Sequence, residues 1–134
     1  MRLLLDANIF LEILLGQAKA AEARTLLSKT DDHDFFISDF SLHSIGLLFF
    51  RRKRYEAFQL FLKDMLLEGG ATLLSLGVAD MESILAAAQR FNLDFDDAYQ
   101  YVTAEKHNLA IVSFDGDFDR TERGRQTPSQ IASD

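Results

Sequence analysis

The sequence predicts one α/β domain, a three-layer sandwich whose central, mostly parallel sheet of four or five strands is flanked by helices. Three observations predict it. Short apolar runs at 2–5, 35–37, 71–74 and 109–112 alternate with longer helical stretches, the order of β-α units. The runs are almost continuously apolar, as strands buried on both faces are. The 134 residues, 48% of them hydrophobic, suffice for a single core.

The elements follow in chain order. The first strand, residues 2–5, stops at Asp6, and a helix over 8–16 carries Ile9, Phe10, Ile13 and Leu14 on one face. A second helix, 18–28, turns Leu26 and Leu27 inward. After the polar turn Asp31–Asp34 comes the strand 35–37. Ser38 or Asp39 caps the next helix, which runs to about Arg52 with Leu42, Ile45, Leu48 and Phe49 inward. Helix continues from Tyr55 to about Leu67, and Gly69-Gly70 stops it ahead of the strand 71–74. A helix over 80–91 turns Ile84, Leu85 and Ala88 inward, and one over 94–107 leads into the last clear strand, 109–112. The single domain spans 1–134, and its tail, 119–134, is polar: a fifth edge strand there is weak, and Pro128 opens a terminal helical turn.

Composition narrows the function. With no cysteine, disulfides and thiolate metal sites are excluded, which fits a reducing, cytoplasmic setting. No apolar stretch nears the roughly 20 residues of a membrane span, and no cleavable signal pattern opens the chain. A net charge of −7 argues against a broadly electrostatic nucleic-acid binder. It leaves room for an enzyme that reaches phosphates through a cation and a local basic patch. His33, His43 and His107 lack zinc spacing, and no nucleophile elbow or glycine-rich phosphate loop is present.

The chemistry-bearing residues are acidic. Asp6 ends the first strand, and Asp115 and Asp117 follow the last. Ligands of open α/β sheets bind beyond the carboxyl ends of strands, so these carboxylates meet if the two strands share a sheet and a direction. Taken singly, Asp6 also reads as a helix cap, and Asp115 and Asp117 as an ordinary turn around Gly116. Asp94 reads as the cap of the helix it opens, with Asp96 and Asp97 in its first turn. At about 100° per residue, Ala98, Tyr101, Val102 and Ala104 define the buried stripe; Asp96 falls opposite it and Asp97 on its margin, facing a cleft. Carboxylates gathered from several elements suit a hard divalent cation such as Mg²⁺ or Mn²⁺.

Together these segments resemble a PIN domain, most closely the VapC-type toxins of prokaryotic toxin–antitoxin pairs. The resemblance runs from Leu3 to about Phe118. It rests on Leu-Leu-Asp-Ala-Asn at 4–8, Asp97-Ala98 opening a late helix, and Val-Ser-Phe-Asp-Gly-Asp-Phe at 112–118. It implies a Mg²⁺- or Mn²⁺-dependent ribonuclease whose metal is held by Asp6, Asp97 and Asp115, with Asn8 and Asp117 in support. It also implies a homodimer and an antitoxin packed against the first two helices, which carry a surplus of apolar residues in Phe10, Leu11, Leu14 and Leu15. One position departs from the pattern. The glutamate usual in the middle helix falls at about Ser44, where Ser44 itself, His43 or Asp39 must stand in. That departure leaves a rival open, a degenerate PIN domain that binds RNA or protein without cleaving. A small-ester phosphatase is a more distant rival, and Asn8 counts against it, since such enzymes place Asp-x-Asp after the first strand. Arg51-Arg52-Lys53-Arg54, the one dense basic run, reads as a solvated helix end or as a phosphate-contacting patch.

Overall fold

The structure, a computed structural model, describes residues 1–132; Ser133 and Asp134, at the end of the predicted tail, lie outside the described residues. Four parallel strands form the sheet: β1 (Arg2–Leu5), β2 (Asp34–Ser38), β3 (Thr72–Leu74) and β4 (Ala110–Val112), in the order β3-β2-β1-β4. Between β1 and β2 lie α1 (Ala7–Leu14) and α2 (Ala20–Leu27); between β2 and β3 lie α3 (Asp39–Arg51) and α4 (Tyr55–Phe61). After β3 the chain crosses back through α5 (Met81–Phe91) and α6 (Phe95–His107) to place β4 on the other side of β1. The strand order therefore reverses at β1, and the crevice of such a sheet opens between β1 and β4.

Strand alternation sorts the core into two layers. Leu3 and Leu5 pack with Ile9, Phe10, Leu26, Ile37, Ile45, Phe49 and Phe61 on the α1–α4 side. Leu4 turns the other way, onto Ile84, Phe91, Tyr101, Val102 and Phe118. With no Trp and 12 Phe, the aromatic packing is largely phenylalanine: Phe10 meets Phe61 edge-on at 5.2 Å, and Phe58 stacks on Phe61 at 6.3 Å.

Several boundaries differ from the sequence reading, each for a local reason. Of the two caps the sequence offers for α3, Ser38 takes the role, its hydroxyl accepting from the Ser41 N–H at 3.1 Å. The helix expected over 55–67 is regular only to Phe61, then widens into a π-type turn over Leu62–Leu67, closed by Glu68 N–H to Lys63 C=O at 2.8 Å. Gly69 is needed there because a Cβ would fall 1.7 Å from the Asp64 carbonyl oxygen. In α5, Leu85 is exposed rather than inward: the buried stripe is Ile84, Ala87 and Phe91, and Leu85 lies a full 100° off it. The fifth edge strand reduces to one parallel bridge from Val112 to Gln126. Pro128 does open a short helix, α7 (Pro128–Ala132), and the tail is less polar in effect than in composition, because Ile131 is 3% exposed. Among the described residues, no helix is long and apolar enough to cross a membrane.

Candidate metal centre

The register of β1 with β4 builds the site. Leu5 lies beside Val112, so the residues that follow them, Asp6 and Ser113, emerge together at the carboxyl edge, where the Asp6 N–H donates to the Val112 C=O at 3.0 Å. Asp6 caps α1 by accepting from the Ala7 N–H at 2.9 Å, as its position after a strand suggested. It does more than cap. Its Oδ1 also accepts from Gln100 Nε2 at 3.2 Å, and its Oδ2 accepts from the Ser113 hydroxyl at 2.7 Å and from Asn8 Nδ2 at 3.3 Å. The other side of the Asn8 amide accepts from the Phe114 N–H at 3.2 Å, which pins β1's end to the loop after β4. Burial pushes the Asp6 carboxyl up, against the lowering effect of those donors and with a small push from Asp115.

Asp97 arrives from a different layer. Asp94 caps α6 by accepting from the Asp97 N–H at 3.0 Å, which fixes the first turn and sends the Asp97 side chain inward. Asp97 is 7% exposed, whereas Asp96 faces solvent, as the helical phase predicts. Asp115 caps a tight turn over Gly116–Arg120, accepting from the Asp117 N–H at 2.8 Å, while the Asp115 N–H donates to Ser113 Oγ at 2.9 Å. Within this arrangement Asp97, Asp115 and Asp117 each bring a carboxylate oxygen within 4.8 Å of the other two. Burial, then the neighbouring Asp115 and Asp94 charges, push the Asp97 carboxyl up to about 8.

A cation is the natural partner for such a group. Its ligand set is all hard oxygen, from three carboxylates on two elements, and Asp6 stands close enough to add to the field at Asp97. The repulsion that raises Asp97 is what a divalent charge relieves, so the residues fit a hard divalent cation.

Other predicted residues fall outside this group. Ser44 is half-buried on α3 and His43 exposed, and Asp39 accepts from the Tyr99 hydroxyl at 2.6 Å. Arg51, Arg52, Lys53 and Arg54 lie at the far end of α3, about 20 Å along its axis from Ser38. The cations beside the carboxylates are different ones. Arg120 pairs with Asp117 at 3.0 Å, Arg125 donates to the Ser113 C=O at 3.1 Å, and the Lys19 ammonium lies 5.2 Å from the centre of the Phe114 ring. Gln100, Ser41 and Ser113 are polar site residues that pattern reading missed. A signal was present for Gln100, an amide within an otherwise mostly apolar stripe, three residues after Asp97 and so on the same helical face.

Fold and site define a class: a parallel α/β domain that gathers carboxylates at the switch point of its sheet. The PIN domain family model matches residues 3–124, and the chain belongs to that family. Solved structures agree on the fold. The Mycobacterium tuberculosis toxin VapC20, described as cleaving the sarcin–ricin loop, superposes with a TM-score of 0.77 at 18% identity, over 94% of this chain and 99% of that one. VapBC2 from Rickettsia felis, solved on a promoter DNA fragment, gives 0.74 at 15% identity over 93% and 96%. A toxin–antitoxin complex from Klebsiella pneumoniae gives 0.73 at 20% over 93% and 96%. Comparison with curated protein sequences finds no match.

Proposed function

We propose that the protein is a Mg²⁺- or Mn²⁺-dependent ribonuclease that hydrolyses RNA phosphodiester bonds, the toxin of a toxin–antitoxin pair acting in the cytoplasm as a homodimer. The observation that carries this reading is the convergence of Asp97, Asp115 and Asp117 to within 4.8 Å at the end of β4, next to Asp6 at the end of β1. Asp6, Asp97 and Asp115 would hold the cation, directly or through water, with Asp117 completing the group. When bound, the ion supplies Lewis acidity toward a phosphoryl oxygen and acidifies water. The chain's own residues do the rest. Asn8 and Ser113 hold Asp6 in one orientation. Asp97 keeps a proton near neutral pH in the metal-free protein and would give it up to hold a cation. Lys19, Arg120 and Arg125 offset the acidic body where a phosphate chain approaches, and Arg51–Arg54 would meet a longer RNA farther out.

A groove of about 210 Å³ between α1, α2 and α4 supports the antitoxin part of the reading. It is lined by Phe10, Ile13 and Leu14 of α1, Leu27 of α2 and Leu60 and Phe61 of α4, so that Phe10 and Leu14 of the apolar surplus face it, and it suits the apolar face of a partner segment. One observation favours a second reading, a PIN-type module that binds without cutting: α3 offers Ser44 where the resemblance calls for a carboxylate.

Incubation with mixed single-stranded RNA separates the two. Cutting that requires Mn²⁺ or Mg²⁺, stops with chelator and is lost in Asp6→Ala and Asp97→Ala supports the nuclease. Intact RNA together with no metal binding by calorimetry supports the module.

A further inference from the structure

We propose that Gln100 is a positioning residue for the carboxylate centre, tying Asp6 to the middle helix α3 through Ser41. The inference rests on the function proposed above. Gln100 sits one turn after Asp97 on α6 and is 2% exposed. Its Nε2 donates to Asp6 Oδ1 at 3.2 Å and to Ser41 Oγ at 2.9 Å, while its Oε1 is buried with no hydrogen-bond partner in the structure. The direction of the amide follows from chemistry: an ionised carboxylate only accepts, so the NH₂ end must face Asp6.

A buried amide with one idle end is a poor choice for stability, and a leucine of similar size would fill the space without that cost. What Gln100 offers in return is its two donated bonds. Ser41 is itself held, since its N–H donates to Ser38 Oγ at 3.1 Å and its Oγ accepts from the Ser38 hydroxyl at 3.3 Å. A chain of neutral groups, Ser38–Ser41–Gln100, thus links the cap of α3 to Asp6 at the end of β1 across the sheet edge. It is the one link from α3 to Asp6 shown among the described residues, in a chain whose middle helix has no acid at Ser44. With Gln100 in place, Asp6 has two donors on each oxygen and a single orientation. Without it, Oδ1 keeps only the Ala7 N–H. Groups that orient a metal-binding carboxylate in this way typically change metal affinity or activity 10- to 100-fold.

The test uses the full chain and Mn²⁺. For Gln100→Leu, calorimetry is expected to show Mn²⁺ binding about 10-fold weaker. The chelator-treated variant should melt at or above the wild-type temperature, and with RNA kcat should fall while KM holds. Ser41→Ala, which frees the far end of Gln100, should show a smaller loss in the same direction, and the double variant no more than Gln100→Leu alone. Wild-type Mn²⁺ affinity in a folded Gln100→Leu protein overturns the proposal, as does a loss that follows the melting temperature across variants. If Gln100→Leu does not fold, Ser41→Ala decides: unchanged Mn²⁺ affinity there overturns the proposal, and weakened affinity with unchanged melting supports it. A wild-type protein that binds no Mn²⁺ sinks the proposed function and this inference with it; Mn²⁺ bound equally by wild type and variants sinks the inference alone.

Discussion

Replacing Asp97 with asparagine is expected to stabilise the metal-free protein above neutral pH. An unfolded aspartate titrates near 3.9, whereas burial and the Asp115 and Asp94 charges hold folded Asp97 at about 8. Between those values the folded chain binds more protons than the unfolded one. Stability therefore falls as pH rises from about 4 to 8 and levels off beyond. At 1.36 kcal/mol per unit the full difference sets a ceiling of about 6 kcal/mol. Asp115 and Asp117 stay partly open to solvent, which screens their share, so a gain of about 2–3 kcal/mol is the reasonable expectation. For a domain of this length that raises the melting temperature by roughly 6–10 °C. The assay is thermal unfolding in chelator at pH 5, 7 and 8.5 for wild type and Asp97→Asn. Wild type should lose stability across the series, and the variant, in which only the raised Asp6 carboxyl of the pair remains, should lose less. Added Mn²⁺ should raise wild type at pH 8.5 far more than the variant. A flat wild-type profile, or a variant less stable than wild type at pH 8.5, would refute the account of Asp97 as a carboxyl kept high by its neighbours.

Ser44→Glu restores an acid at the position where the resemblance expects one, and Mn²⁺ affinity measured by calorimetry should rise; an unchanged value would mean that α3 does not present Ser44 to the centre. Lys19→Ala, beside Phe114, is expected to raise KM for RNA several-fold with Mn²⁺ affinity unchanged, and to do so more than Arg52→Ala at the far end of α3, a comparison read directly from steady-state kinetics. Gly69→Ala drives a Cβ into the Asp64 carbonyl oxygen and should cost about 3 kcal/mol, seen as a lower urea midpoint without any change in Mn²⁺ binding.

Much of the local structure could be read residue by residue. Each strand ends where an apolar run meets a polar residue, and Ser38, Asp94 and Gly69-Gly70 punctuate the helices because capping and tight turns depend on the side chain at the position itself. Helical phase separated buried Asp97 from solvated Asp96. Along α6 helical phase sorts nothing further, because every residue from Asp97 to Ala104 is buried, Gln100 among them. A single stripe describes a helix packed on one side; α6 contacts β4 and α5 and also reaches α3 and β1 through Tyr99 and Gln100, and neighbours of that kind leave no trace in the periodicity.

The order of its own residues determined that this chain makes β-α units, and that aspartates stand at strand ends and helix starts. Which carboxylates meet was decided only in three dimensions. The β1–β4 pairing joins segments more than 100 residues apart, as in Leu5 with Val112, and long-range parallel pairing follows from how two helical layers cover the sheet, not from any local preference. That pairing brought the Ser113 hydroxyl to Asp6, and the packing of α6 brought Gln100 to it and Asp97 to Asp115 and Asp117, because hydrogen-bond geometry and electrostatic repulsion act through space and are blind to sequence separation.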